Sequence, residues 1–179
     1  KLVGDPRQTI YSTNDGFKYS KYRKKGIHCF LKEEKDIRNI VTFNTETLKK
    51  SHRNNKKVCE YSSKLFPNLE SSEPCDCSGC KNKKGEIFLI QNKDIDNFIQ
   101  KQHSVKILKY KKANSHELNY GKSKGKTFCS VLIYPTKSIK SWIKDHNFKL
   151  SYKTRCGFYV ALTRARNNVG IVFDYQGEN

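Results

Sequence analysis

A chain of 179 residues is long enough for one α/β domain with a real core and too short for two large ones. Its 36 Lys+Arg against 17 Asp+Glu leave a formal charge of +19, which disfavours compaction unless a polyanion neutralises it; nucleic acid is the expected partner, with a lysine-rich solvated surface as the plainer alternative. No apolar run nears the roughly 20 residues that cross a bilayer, no signal-peptide pattern opens the chain, and the 7 cysteines are odd in number, so a membrane span and a secreted disulfide scaffold are both excluded and a cytoplasmic protein with reduced thiols is expected.

Methionine is absent and the first residue is Lys1, which reads as a fragment of a longer protein. Lys1 to Val3 looks like the end of a buried strand, since Gly4-Asp5-Pro6 follows at once as a turn. Residues 17–36 are polar with few periodic apolar positions and are expected to form a mobile connector containing at most a helical turn. Ile37 to Phe43 is a short apolar run suited to a buried strand, and Arg53 to Phe66 carries Val58, Tyr61, Ser62 and Leu65 at helical spacing until Pro67 stops it. Residues 68–85 read as a loop excursion with three cysteines. Further strands are expected at Glu86 to Gln91, Val105 to Leu108, Phe128 to Tyr134 and Val169 to Phe173. Helices are expected at Asp94 to Gln100, from an N-cap at Thr136 through Trp142, and at Tyr152 to Arg166. Strands alternating with helices imply a parallel sheet between helical layers.

Four segments carry chemistry, and their order is more specific than any one of them. They are Val3-Gly4-Asp5-Pro6-Arg7-Gln8-Thr9-Ile10-Tyr11; Ser51-His52-Arg53-Asn54 ahead of an amphipathic helix; Tyr120-Gly121-Lys122-Ser123-Lys124-Gly125-Lys126-Thr127-Phe128 ahead of the most apolar strand; and Phe158-Tyr159-Val160-Ala161-Leu162-Thr163-Arg164-Ala165-Arg166. In this order they resemble motifs III, IV, V and VI of the UvrD, Rep and PcrA helicases of superfamily 1, the last almost letter for letter. The resemblance implies a RecA-like three-layer α/β sandwich with a mainly parallel sheet. Residues 1–36 would be the tail of the first RecA-like domain and a connector, and residues 37–179 the second domain. The stretch between Arg53 and Gly121 is too short for the large accessory insertion of the bigger relatives, so a compact form is expected.

The resemblance also implies roles. Gln8 would sense the γ-phosphate, since a neutral amide orients water and phosphate oxygen without competing for the proton. Arg164 would be the finger that stabilises charge on the transferring phosphoryl group, and Arg53 would reach the same phosphate with a planar fork. The two are therefore expected near each other at the carboxyl ends of the strands, exposed toward the first lobe, while residues 1–20, whose partners would be that lobe's strands, are expected to be poorly packed. His52 stands where an aromatic ring stacks on adenine, and Gly125 and Thr127 stand on the nucleotide side of the third segment, Thr127 replacing the usual glutamate. Tyr11, Lys122, Ser123 and Lys124 would contact DNA, Tyr11 by stacking on bases, although the tryptophan that follows in the family is Thr13 here.

The implied activity is that of an ATP-dependent DNA helicase moving 3′ to 5′ on single-stranded or partly duplex DNA, with ATP and Mg2+ as cofactors. A phosphate-binding G-x-x-x-x-G-K-[ST] loop and the acidic magnesium ligands are absent from the chain, so it is expected to need the N-terminal RecA-like lobe and to be inactive alone. The alternative is a helicase-like subunit that binds nucleic acid or regulates without turnover, to which Thr13, His52 and Thr127 point. Cys75-x-Cys77-x-x-Cys80 invites a zinc reading, but only three ligands are local, and His28, Cys29, Cys59 or His103 would have to complete the site; free loop thiols are the other reading.

Overall fold

The computed structural model describes residues 3–10, 17–22, 27–42, 44, 48–74 and 85–175. Tyr11, Thr13 and the Cys75, Cys77 and Cys80 group lie outside the described residues. Strands β1 (Ile87–Ile90), β2 (Val105–Lys109), β3 (Leu118–Asn119), β4 (Ser130–Tyr134) and β5 (Val169–Val172) form one sheet in the order β1-β5-β4-β2-β3. Every pairing is parallel, with Leu132 opposite Gly170 and Ile107 on the two sides of β4. The fold is therefore mixed α/β with an all-parallel sheet, consistent with the RecA-like expectation.

The central strand is apolar on both faces because both are covered. Val131 and Ile133 point into the larger core, with Val169, Ile171, Leu108, Phe158, Leu162 and Trp142, while Leu132 packs on the other side with Ile90, Phe98 and Val172. Of the helices, α1 (Ile27–Glu33) and α2 (Lys35–Arg38) precede the sheet; α3 (Lys56–Ser63), α5 (Lys137–Lys144) and α6 (Tyr152–Leu162) contribute to the larger core, and α4 (Ile95–Gln100) to the smaller one. Three helix starts are fixed by side chains accepting a backbone N–H three residues on: Asn55 from Val58, Thr136 from Ile139 and Ser151 from Thr154.

Several expectations are corrected. The strand expected at Ile37 to Phe43 is absent over its described residues 37–42, where the chain is helical to Arg38 and Ile40 is 81% exposed; Phe43 lies outside the described residues. A short apolar stretch holds no periodicity that separates strand from helix, and Arg38 and Asn39 interrupt this one. Val3 is exposed rather than the end of a buried strand. The connector holds more than one helical turn, with a 3-10 helix at Phe17–Tyr22 and then α1 and α2. The helix after Arg53 starts only at Lys56, because Asn55 caps it. The helix expected through Arg166 ends at Leu162, where Thr163 turns its hydroxyl back onto the Tyr159 and Val160 carbonyls. Within the supposed excursion, Glu73 pairs with the chain at Lys49 and Ser51, and Ser72 bonds Ser63 and Tyr159. Strand β3, two residues long, was not expected.

Cys59, Cys129 and Cys156 are free thiols, and burial pushes the Cys59 thiol up to about 11. Among the described residues no helix is long and apolar enough to cross a membrane, and no group of three His, Cys, Asp or Glu side chains is placed to hold a metal.

Candidate functional site

The segment from Thr163 to Asn168 leaves helix α6 and enters β5 at the amino edge of the sheet. It is zipped to the segment before β4: Phe128 N donates to Arg164 O at 3.0 Å, Arg166 N to Phe128 O at 2.9 Å and Asn167 N to Cys129 O at 2.8 Å. Residues 51–55 close over the same segment from the other side. The Asn54 amide donates to the carbonyls of Thr163 (3.1 Å) and Ala165 (2.8 Å), and the Asn55 amide to that of Asn167 (2.8 Å). Ser51 holds Asn54 in that pose by donating to its Oδ1 at 2.9 Å.

This clasp brings Arg53 and Arg164 together. Arg53 Nη1 donates to Thr163 O at 2.7 Å, while Arg164 Nη2 donates to Thr163 Oγ1 at 3.2 Å, so both guanidinium groups meet one residue. Arg164 is only 2% exposed and also donates through Nε to Val160 O (3.0 Å) and through Nη1 to Lys126 O (3.3 Å). Burial, and then the charge of Arg53, push Arg164 down to about 10, so it stays cationic at neutral pH. Burial and then Arg166 lower Arg53 in the same direction. Among the described residues neither arginine has a carboxylate partner in an ion pair. Two like charges held together, with Asp5 acting on Arg164 only from beyond ion-pair distance, favour an anion such as a polyphosphate, which would offset their mutual repulsion.

The two arginines are thus neighbours, as expected, but the rest of the expected geometry is corrected. They lie at the amino ends of β4 and β5 rather than the carboxyl ends, because Arg164 precedes β5 and its partner carbonyl at Lys126 precedes β4. Arg164 is buried in acceptors of its own domain instead of being exposed. Residues expected to be poorly packed at the start of the chain are docked too. Pro6–Gln8 forms a 3-10 turn capped by Asp5, with Tyr152 donating to Pro6 O at 2.9 Å and Lys124 Nζ to Gln8 O at 3.1 Å. The Gln8 amide donates to Asp5 Oδ2 at 3.0 Å.

The other predicted residues separate into two groups. His52, Lys122, Lys124, Gly125 and Thr127 are exposed. Gly125 has φ of +82°, a left-handed conformation that other residues adopt only with strain, so the turn requires glycine. Ser123 is instead fully buried and its hydroxyl donates to Tyr120 O at 2.7 Å, so it shapes the turn and presents no hydroxyl to a phosphate. Sequence reasoning missed Asn54, Asn55, Asp5, Arg7 and Ser72; the one signal available was a tandem of asparagines immediately before a helix. Asn54→Ala is expected to lower folding stability by about 2–3 kcal/mol, because it leaves buried carbonyls without donors. Urea unfolding checks this, and an unshifted midpoint would show that the clasp contributes nothing.

The sequence matches the model of the viral superfamily 1 RNA helicase core domain over residues 1–173. No curated protein matches it. Among solved structures, the Arterivirus nonstructural protein 10 helicase is 21% identical, with a TM-score of 0.43 over 69% of this chain and 24% of its own. The same Arterivirus helicase in complex with DNA is 16% identical, with a TM-score of 0.44 over 71% of this chain and 26% of its own. The C-terminal domain of a possible DNA helicase from Lactobacillus plantarum is 8% identical, with a TM-score of 0.39 over 68% of this chain and 86% of its own. The chain therefore spans about a quarter of the length of the Arterivirus helicases it matches.

Proposed function

The chain belongs to the family of viral superfamily 1 RNA helicase core domains, and we propose that it supplies the second RecA-like lobe of an ATP-dependent helicase motor, with residues 37–179 forming that lobe and residues 1–36 the tail of the first lobe and its connector. The observation that carries this proposal is the meeting of Arg53, half-buried, and Arg164, buried, on Thr163, neither in an ion pair with a carboxylate among the described residues, beside a helix on which the Gln8 turn is docked.

In this role Arg164 stabilises charge on the transferring γ-phosphoryl group, Arg53 binds that phosphate, and Gln8 orients the attacking water. His52, Gly125 and Thr127 serve the nucleotide, and Lys122 and Lys124 contact the strand from a turn that Ser123 holds closed; Tyr11 would stack on bases of the same strand. Magnesium, when bound, would be held by ligands on the first lobe and would neutralise phosphate charge. The resemblance to UvrD, Rep and PcrA favours movement 3′ to 5′ on single-stranded DNA, whereas the family description names RNA. Tailed duplexes of both chemistries separate these: the whole protein with ATP and Mg2+ is expected to unwind a 3′-tailed DNA duplex. Unwinding from a 5′ tail or of RNA alone would overturn the polarity or the substrate, and strand binding with no unwinding in any arm would favour the regulatory subunit.

Electrostatics supports a nucleic-acid partner independently. Lys111, Lys112, Lys122, Lys124 and Lys126 are all exposed within one stretch of chain. With a slope of about −0.7 per phosphate contact, five such contacts weaken single-strand binding roughly a hundredfold between about 50 and 200 mM salt. A binding titration across salt measures the slope, and a flat line would remove the lysines from the interface.

A further inference from the structure

Arg7 is the residue that no role above uses, and it has the most specific surroundings in the docked turn. Its Nε donates to Asp5 Oδ1 at 2.9 Å, and its Nη1 donates to Ser72 Oγ at 3.0 Å and to Glu70 O at 3.3 Å. Its guanidinium lies 5.0 Å from the centroid of the Tyr159 ring. Ser72 Oγ is in turn 3.2 Å from the Tyr159 hydroxyl, so the arginine, the serine and the tyrosine close a small ring of contacts.

Both ends of this cluster lead to residues of the proposed reaction. On one side, Asp5 receives Arg7 on Oδ1 and the Gln8 amide on Oδ2, so one carboxylate sets both side chains. On the other side, Tyr159 is 3% exposed in α6, its carbonyl accepts the Thr163 hydroxyl at 2.9 Å, and that hydroxyl accepts Arg164 Nη2 at 3.2 Å. We infer that Arg7 is a positioning residue that fixes the Gln8 turn relative to helix α6 and the Arg164 that follows its end, so that the γ-phosphate sensor and the arginine finger reach one phosphate in register. This inference rests on the helicase reading of the site.

Arginine suits the position for a geometric reason. Two different edges of the fork are used at once, Nε toward Asp5 and Nη1 toward Ser72, while the flat face covers the tyrosine ring. A lysine keeps the charge but has one head, which reaches Asp5 or Ser72 but not both. Arg7→Lys therefore separates positioning from charge. Arg7 touches neither phosphate nor water in this role, so its loss misaligns groups that remain present.

The test uses the whole protein and steady-state NTP hydrolysis with single-stranded nucleic acid at saturation, comparing wild type, Arg7→Lys, Arg7→Ala, Arg164→Lys and the double variant Arg7→Lys/Arg164→Lys. The expected result is a fall in kcat of about tenfold or more for Arg7→Lys, with KM for the nucleotide changed less than about threefold, as for a loss confined to the transition state. The double variant is expected to be no slower than Arg164→Lys alone, because the alignment has no finger left to serve. Wild-type kcat in Arg7→Lys, a change confined to KM, or fully multiplicative losses in the double variant would overturn the inference while leaving the helicase reading intact. Wild-type protein with no turnover would overturn the helicase reading, and the inference with it.

Discussion

Replacing Arg164 by alanine in the whole protein is expected to reduce NTP turnover by about 10³-fold or more, the scale associated with an arginine finger, while equilibrium binding of a non-hydrolysable nucleotide changes little. The asymmetry follows from where the charge develops. A cation that meets the phosphoryl group chiefly in the transition state lowers the barrier without tightening the ground state. Arg164 is held by Val160 O, Lys126 O and Thr163 Oγ1 inside its own domain, so nucleotide binding does not depend on it, and its recruitment to phosphate exchanges these acceptors for an anion. Truncation also strips donors from those groups, which lowers stability; Arg164→Lys, which keeps a cation, serves as the second variant and is expected to retain folding with turnover still strongly reduced. Single-turnover rates set beside analogue binding measure the two effects separately. Unchanged turnover in both variants would remove Arg164 from the reaction.

Gly85→Ala is expected to destabilise the fold by roughly 3 kcal/mol, combining overpacking with a broken hydrogen bond. A methyl group on Gly85 would overlap the Asn55 amide and the Asn167 backbone carbonyl, the pair that joins the start of α3 to the approach to β5. The carbonyl belongs to the zipped backbone and cannot withdraw cheaply, because Asn167 N is bonded to Cys129 O and the chain enters β5 two residues later. Against a total stability of about 5–15 kcal/mol, such a loss moves the urea midpoint well outside error. A midpoint equal to wild type would show that this junction is looser than the contacts around it require.

Much of the sheet was legible because its strands announce themselves physically. Within Ser130–Tyr134 the residues Val131, Leu132 and Ile133 are an unbroken apolar run, buried on both faces as the central strand of a parallel sheet must be, and Val169–Val172 is likewise apolar and buried. Leu118–Asn119 was not legible, since a two-residue edge strand depends on its neighbour β2 rather than on its own side chains. Ile37 to Phe43 misled in the opposite direction, offering apolar residues with no periodicity to decide their structure. In the site, the juxtaposition of Arg53 and Arg164 followed from motif order, but its edge did not. Whether a motif lies before or after a strand decides the edge, and here Thr163–Asn168 comes before β5. The clasp formed by Asn54 and Asn55 was invisible because amide-to-carbonyl bonds across more than a hundred residues of chain leave no local signature. Asp5 to Gln8 was legible as a motif, yet its docking against α6 depends on Arg7, Tyr152 and Tyr159 meeting in three dimensions.

The most direct measurement is NTP hydrolysis by the whole protein that carries this chain, with Mg2+, in the absence and presence of single-stranded oligonucleotides. If Lys122 and Lys124 contact the strand and Arg164 acts on the phosphoryl group as proposed, the bond from Arg164 to Lys126 O in the same turn couples the two, and turnover is expected to rise about tenfold or more when the strand is added. Tight strand binding with no hydrolysis, or hydrolysis indifferent to the strand, would contradict it.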